Sequence, residues 1–130
     1  MECRVLEVAV SFTHQPFRVP LRISSGEIRE ITEARAEVRV RVGNREATGA
    51  GSIYLSDLWA WPEPSLSHAE RDGILRRFAE ELAARFADWA GEPAHPLELG
   101  LRLHHHALAH PCLPDPPALA RSMAASPLDA

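Results

Sequence analysis

Lysine is missing from this 130-residue chain: all fourteen of its basic residues are arginines. A mechanism that runs through a lysine base or a Schiff-base lysine therefore cannot be complete within it. Cysteine is scarce as well. Cys3 and Cys112 stand near opposite ends, which excludes a disulfide-dense scaffold and a zinc ribbon. No apolar run approaches the roughly 20 residues of a membrane span. Met1-Glu2-Cys3-Arg4 lacks the charged-then-apolar pattern of a secretory signal, so a cytoplasmic protein is expected. Positive charge is not in excess. Eighteen acidic residues against fourteen basic ones leave a net charge of −4, with the arginines scattered. Neither nucleic acid nor an anionic membrane is an expected partner.

What remains reads as one domain, long enough to bury about two-thirds of the surface its unfolded chain exposes. Between Arg4 and Phe12, Leu6, Val8, Val10 and Phe12 alternate with polar residues such as Glu7 and Ser11, the pattern of a half-buried strand. A loop is expected from His14 to Gly26, broken by Pro16 and Pro20 and closed by Ser24-Ser25-Gly26. From Ile31 to Val42 the alternation is unbroken. Ala34, Ala36, Val38, Val40 and Val42 take one face; Glu33, Arg35, Glu37, Arg39 and Arg41 take the other. That is the signature of an antiparallel sheet with one solvated side. Gly43-Asn44 supplies a hairpin turn. The return strand runs from about Glu46 towards Leu55 through Gly49-Ala50-Gly51, glycines of the kind that mark a close approach of backbone or ligand. Residues of about 3 to 55 thus predict a three-stranded antiparallel sheet.

A second loop is expected from Ser52 to Ser65. It carries Tyr54, Trp59, Trp61, Pro62 and Pro64, including two of the three tryptophans. Ser67 with Glu70 three residues on has capping-box form. Behind it Leu75, Phe78, Leu82, Phe86 and Trp89 recur at helical steps until Gly91 and Pro93. Residues from His95 to His110 fit a strand or a helix equally by pattern. Pro111 to Pro117 is a proline-rich connector, and Pro117 opens a helix over Ala118 to Ala125 that Ser126-Pro127 should interrupt. Leu128-Asp129-Ala130 has no cap and looks like a cut. The fold class is α+β: a three-stranded antiparallel sheet followed by a helical subdomain, its helices within about 67–109.

Candidate chemistry is thin. His104, His105, His106 and His110 invite a metal, since His106 and His110 share a helix face, and Cys112 could add a thiolate. The third ligand and the usual glutamate base are missing: Ala107, Leu108 and Ala109 lie between the pair. Histidines on a solvated helix face explain the cluster better. Ser24, Ser25 and Ser52 sit in turns without a Gly-x-Ser-x-Gly elbow, and Gly49-x-Gly51 lacks the third glycine of a dinucleotide fingerprint. No catalytic residue and no metal ligand is assigned. The two loops are the better candidates. His14, Phe17, Arg22, Ser24, Ser25, Tyr54, Trp59 and Trp61 combine rings, hydroxyls and a cation on segments leaving one small sheet, where binding residues tend to lie. The competing reading is that the rings pack against a neighbouring domain or helix.

This order of elements resembles the N-terminal capping domain of the enolase superfamily, in its mandelate racemase and muconate lactonizing enzyme branch. The likeness rests on Pro20-Leu21-Arg22-Ile23-Ser24-Ser25-Gly26, on the Val38-Val40-Val42 strand and on Gly49-Ala50-Gly51. It also takes in Ala124-Ala125-Ser126-Pro127-Leu128-Asp129-Ala130, similar to the helical lead-in to the family's barrel. It favours helix over strand for residues 96–109. It implies a capping domain over residues 1–117, and in 118–130 the start of the helix leading to a (β/α) barrel of about 250 residues that this sequence does not contain. The family's magnesium ligands and its lysine or histidine bases lie in that barrel. They abstract a proton α to a carboxylate while Mg²⁺ stabilises the enediolate. The implied parent is a magnesium-dependent lyase or isomerase: a racemase, cycloisomerase or acid-sugar dehydratase. This chain would bind no cofactor and catalyse nothing alone. Its loops would form the specificity lid, with the barrel of the same polypeptide, a small carboxylate substrate and further copies of the enzyme as partners. Ser52 departs from the pattern, since many members carry glutamate there. The alternative is a stand-alone, non-catalytic α+β module that binds through its aromatic loops.

Overall fold

The alternation between Ile31 and Val42 is realised as the central strand of an antiparallel sheet. The computed structural model describes residues 1–130. Strands β1 (Arg4–Ile23), β2 (Gly26–Val42) and β3 (Arg45–Tyr54) pair in the order β1-β2-β3. They are followed by α1 (Asp57–Ala60), α2 (His68–Ala90), α3 (Pro96–Ala109) and α4 (Ala118–Asp129). Val5, Ala34 and Ala36 are buried on the inner face of the sheet, with Val8, Val38 and Val40 packed beside them. The outer face carries a charge ladder. Arg39 bridges Glu7 and Glu46, each at 3.0 Å, and Arg41 reaches Glu46 at 3.0 Å. Sequence alternation alone would turn Leu6 inward. Instead β1 bulges there, its register stepping from Val5↔Val40 to Glu7↔Arg39. The extra residue lets Val5 and Val8 both face the core.

The expected loop from His14 to Gly26 is a strand pair. β1 continues to Ile23, the chain turns at Ser24-Ser25, and β2 starts at Gly26. Pro16 and Pro20 do not end the strand because β1 is an edge, where a missing N–H costs no ladder bond. Their effect is local. Pairing jumps from Pro16↔Glu30 to Leu21↔Ile28, so Phe17 to Pro20 bow out opposite Arg29. On its other side, β2 pairs with β3 no further than Glu33↔Tyr54. Everything beyond is a two-stranded ribbon that extends past the sheet.

The second expected loop is shorter than read. Ser52 to Tyr54 complete β3, and Asp57–Ala60 form one helical turn. α2 begins with the capping box: the Glu70 N–H donates to Ser67 Oγ, and the Ser67 N–H to Glu70 Oε1, both at 3.1 Å. Its stripe of Leu75, Phe78, Leu82 and Phe86 is buried against the sheet and the other helices. Residues 96–109 are helical. Pro96 sits in the first turn and His95 Nδ1 accepts from the Leu97 N–H at 3.2 Å. Four-residue steps decide the face: Leu99, Leu103 and Ala107 go inside, while Leu97 and Leu101 are left exposed.

α4 runs through the expected interruption at Ser126-Pro127. Proline has no N–H to give the carbonyl four residues back, that of Met123. The Ser126 hydroxyl donates to it instead, at 2.8 Å, so no acceptor is orphaned. The helix then lies so close to β3 that a Cβ on Gly51 would fall 2.5 Å from the Pro127 carbonyl oxygen. That is the close approach the glycine run announced. Where α3, the proline-rich connector and α4 meet, the Arg121 guanidinium is buried. It donates to the carbonyls of Pro116 at 2.9 Å, Ala107 at 3.0 Å and His110 at 2.6 Å, and pairs with Asp115 at 2.6 Å.

Candidate functional site at the ribbon tip

The ribbon bends back onto the helical part of the molecule. At its tip the Ser25 hydroxyl donates to the Leu58 carbonyl of α1 at 3.1 Å. Next to it Gly26 has a φ of +145°, and a Cβ there would meet Leu58 Cδ2 at 3.1 Å. Both conformation and contact ask for glycine at this point. The two segments expected to be loops therefore converge, as a shared binding role requires.

Between them lies a cleft of about 460 Å³ lined by Glu27, Ile28, Glu30, Asp57, His68 and Arg71 among others. Its wall is a chain of charges. Arg71 Nε donates to Asp57 Oδ2 at 2.9 Å, and its Nη1 donates to the Glu63 carbonyl at 2.9 Å and to that of Leu66. His68 Nδ1 lies 2.9 Å from Asp57 Oδ1. His68 Nε2 faces Glu30 Oε1 at 3.3 Å, and His14 Nε2 lies 3.4 Å from the other oxygen of Glu30. Asp57 is buried, and Arg71 and His68 satisfy both of its oxygens. An unpaired carboxylate would not be tolerated there.

The other residues singled out from sequence fall as follows. Phe17 is half-buried on the bowed part of β1, and Arg22 and Ser24 are exposed towards the tip. Tyr54 and Trp59 are largely exposed, at 52% and 57%. Trp61 is in the core with Leu55, Ile74 and Met123, because the turn of α1 swings it under the sheet. None of these rings lines the charged cleft. Glu30, Asp57, His68 and Arg71 were missed. Asp57 and Arg71 are fourteen positions apart and Glu30 is on another element, so no local spacing announces them.

The C-terminal histidines part ways. His104 Nε2 pairs with Asp129 at 2.8 Å, His106 stacks on Trp89 at 4.9 Å, and His110 Nε2 meets Glu81 at 2.9 Å. Burial pushes the thiols of both Cys112 and Cys3 up, away from thiolate reactivity. No three His, Cys, Asp or Glu side chains gather as a metal site, and the acidic pair Glu30 and Asp57 is already engaged by His68 and Arg71. Magnesium does not fit the residues of this chain. No helix is long and apolar enough to cross a membrane.

No protein-family model and no curated protein matches the chain. Solved structures do. An enolase from Bradyrhizobium, complexed with magnesium and mandelic acid, aligns with 99% of this chain and 30% of its own, at 19% identity and a TM-score of 0.55. A mandelate racemase/muconate lactonizing protein from Herpetosiphon aurantiacus aligns with 97% of this chain and 28% of its own, at 17% identity and a TM-score of 0.47. The resemblance read from the residues thus holds at the level of the fold: nearly the whole chain is built as an α+β unit that makes up about 30% of that enolase.

Proposed function

We propose that this chain is the N-terminal capping domain of an enolase-superfamily enzyme, a racemase, cycloisomerase or acid-sugar dehydratase. The observation that carries the reading is the ribbon. It reaches past the three-stranded sheet, is pinned to α1 at its tip, and belongs to a fold shared with part of a longer enolase chain. Phe17, Arg22, Ser24, Tyr54 and Trp59 would present rings, a hydroxyl and a cation to the distal part of a carboxylate substrate, while the tip excludes water from the reaction. His14 and Ser25 support them by holding Glu30 and Leu58. Proton abstraction and magnesium binding would belong to a barrel domain reached through residues 118–130. Exposed Leu97 and Leu101, at 78% and 70%, give such a domain or a neighbouring copy apolar surface to cover.

The test is the native protein: its reading frame past the codon for Ala130, its intact mass, and Mg²⁺-dependent exchange of the α-proton of carboxylic acids in D₂O. The expected result is about 250 further residues and exchange with at least one carboxylic acid. In that enzyme Arg22→Ala should raise KM more than it lowers kcat. A natural protein that ends at Ala130 would overturn the reading.

A further inference from the structure

The charged cleft behind the ribbon holds an unusual arrangement of one side chain. Both ring nitrogens of His68 face carboxylate oxygens, Nδ1 against Asp57 at 2.9 Å and Nε2 against Glu30 at 3.3 Å. An ionised carboxylate only accepts hydrogen bonds, and a neutral imidazole has one donor and one acceptor nitrogen. Neutral His68 can therefore serve one of its two partners and turns a lone pair on the other. Only the imidazolium serves both, with a hydrogen bond to Asp57 and an ion pair with Glu30.

Which partner is abandoned follows from burial. Asp57 is buried in the body of the molecule and also held by Arg71, so the tautomer with its proton on Nδ1 is the one that avoids a stranded buried acceptor. The loser is Glu30, half-exposed on β2 at the base of the ribbon. The two partners also sit on different parts of the chain. Asp57 and His68 belong to α1 and α2, whereas Glu30 belongs to the ribbon. Every other charge at the cleft is accounted for. Arg71 is spent on Asp57 and two carbonyls, Arg29 on Glu27 at 3.1 Å, and His14 lies against Glu30 from the ribbon's own β1 side. His68 is thus the side chain that ties Glu30 to the helical body, and it can do so only when it carries a positive charge.

We propose that His68 is a proton-operated latch: as an imidazolium it clamps Glu30 of the ribbon to Asp57 of the body, and as a neutral ring it releases the ribbon. This goes beyond the capping-domain reading and does not depend on it. The latch closes when the ring takes up its proton and opens when it gives it up, the exchange that suits histidine as a residue type to pH-dependent switches. His14, on the other oxygen of Glu30, cannot replace His68, since it rides on the ribbon itself.

The test uses NMR on the full 130-residue chain, with the cross-relaxation between the Gly26 Hα protons and the Leu58 methyls reporting tip contact. Slow hydrogen exchange of core amides in α2 serves as the folding control. In the unmodified chain the Gly26–Leu58 signal should be at least twofold stronger at pH 6 than at pH 8. His68→Gln, whose single uncharged amide nitrogen cannot face both carboxylates at any pH, should hold that signal flat at its pH 8 level. Glu30→Gln should flatten it too while leaving the buried Asp57–Arg71 pair intact, so the latch stays testable if His68→Gln fails the folding control. A signal invariant with pH in the unmodified chain overturns the proposal, and so does either folded variant that keeps the full pH response.

Discussion

The helical body and the ribbon are held by different physics. In the body, Phe78, Leu82, Leu103 and Ala124 have almost no solvent exposure, and the sheet meets α4 at a distance that only glycine permits. Stability there comes from apolar area removed from water, and it is shared among many contacts. Past Glu33 the ribbon has solvent on most of its surface. Val19 and Leu21 are exposed, and its links to the body are one hydroxyl, one glycine contact, the His68 bridge and the Leu55 N–H donating to the Thr32 carbonyl at 2.8 Å, with Ile28, Ile31 and Thr32 as its buried residues. Regions fixed by so few contacts open locally at small free-energy cost. The body can therefore stay constant while the ribbon changes shape or sequence, which is the division of labour a scaffold with a variable contact surface needs.

Three measurements would break or sharpen that contrast. The largest effect is expected from Phe78→Ala. It removes a fully buried ring that packs beside His110 at 5.9 Å and under the Arg121 guanidinium at 5.2 Å. The cost should be about 3–5 kcal/mol in chemical denaturation. A loss under about 1 kcal/mol would mean that the body is not the stable partner. Next comes Ser25→Ala, which cuts the hydroxyl tie to Leu58. Global stability should move by less than about 0.5 kcal/mol, while amide exchange at the tip accelerates severalfold and that of α2 does not change. Equal acceleration in both places would mean the two regions open as one.

The smallest effect concerns the exposed charge ladder. Arg41, and after it Arg39, hold the Glu46 carboxyl below the usual glutamate range by hydrogen bonding to its charged form. A carboxyl that is more acidic folded than unfolded adds stability above its unfolded value, and that increment disappears as pH falls through the folded one. The acid limb of the stability curve should therefore flatten slightly in Glu46→Gln, with no change at pH 7 or above beyond the lost surface pair. Side-chain titration of Glu46 by NMR checks the direction. An ordinary or raised midpoint would remove the ladder from the account.

The elements legible in the sequence were those whose cause is local. The charge alternation on β2, the Ser67–Glu70 box and the stripe on α2 each state their structure within a few residues. The ribbon was misread because prolines at 16 and 20 look like loop formers, and only the edge position of β1 makes them harmless. Ser126-Pro127 was misread as a break because the compensating hydroxyl bond has no pattern of its own. Trp61 sits one position from exposed Pro62 and two from exposed Trp59, yet it belongs to the core. A single helical turn decides that, and composition does not record it. The charged cleft assembles side chains from β2, α1 and α2, and pairings of that range need the fold before they can be seen.

Arg121 gives the molecule a second kind of fastening. A guanidinium stays cationic over the whole pH range in which proteins fold, and this one gathers the end of α3, the connector and the start of α4 around itself. The ribbon, by contrast, meets the body through an imidazole set between two carboxylates and through the Ser25 hydroxyl. In a chain without lysine, the rigid joint is made of the one basic side chain that never lets its proton go, and the movable joint of the one that readily does.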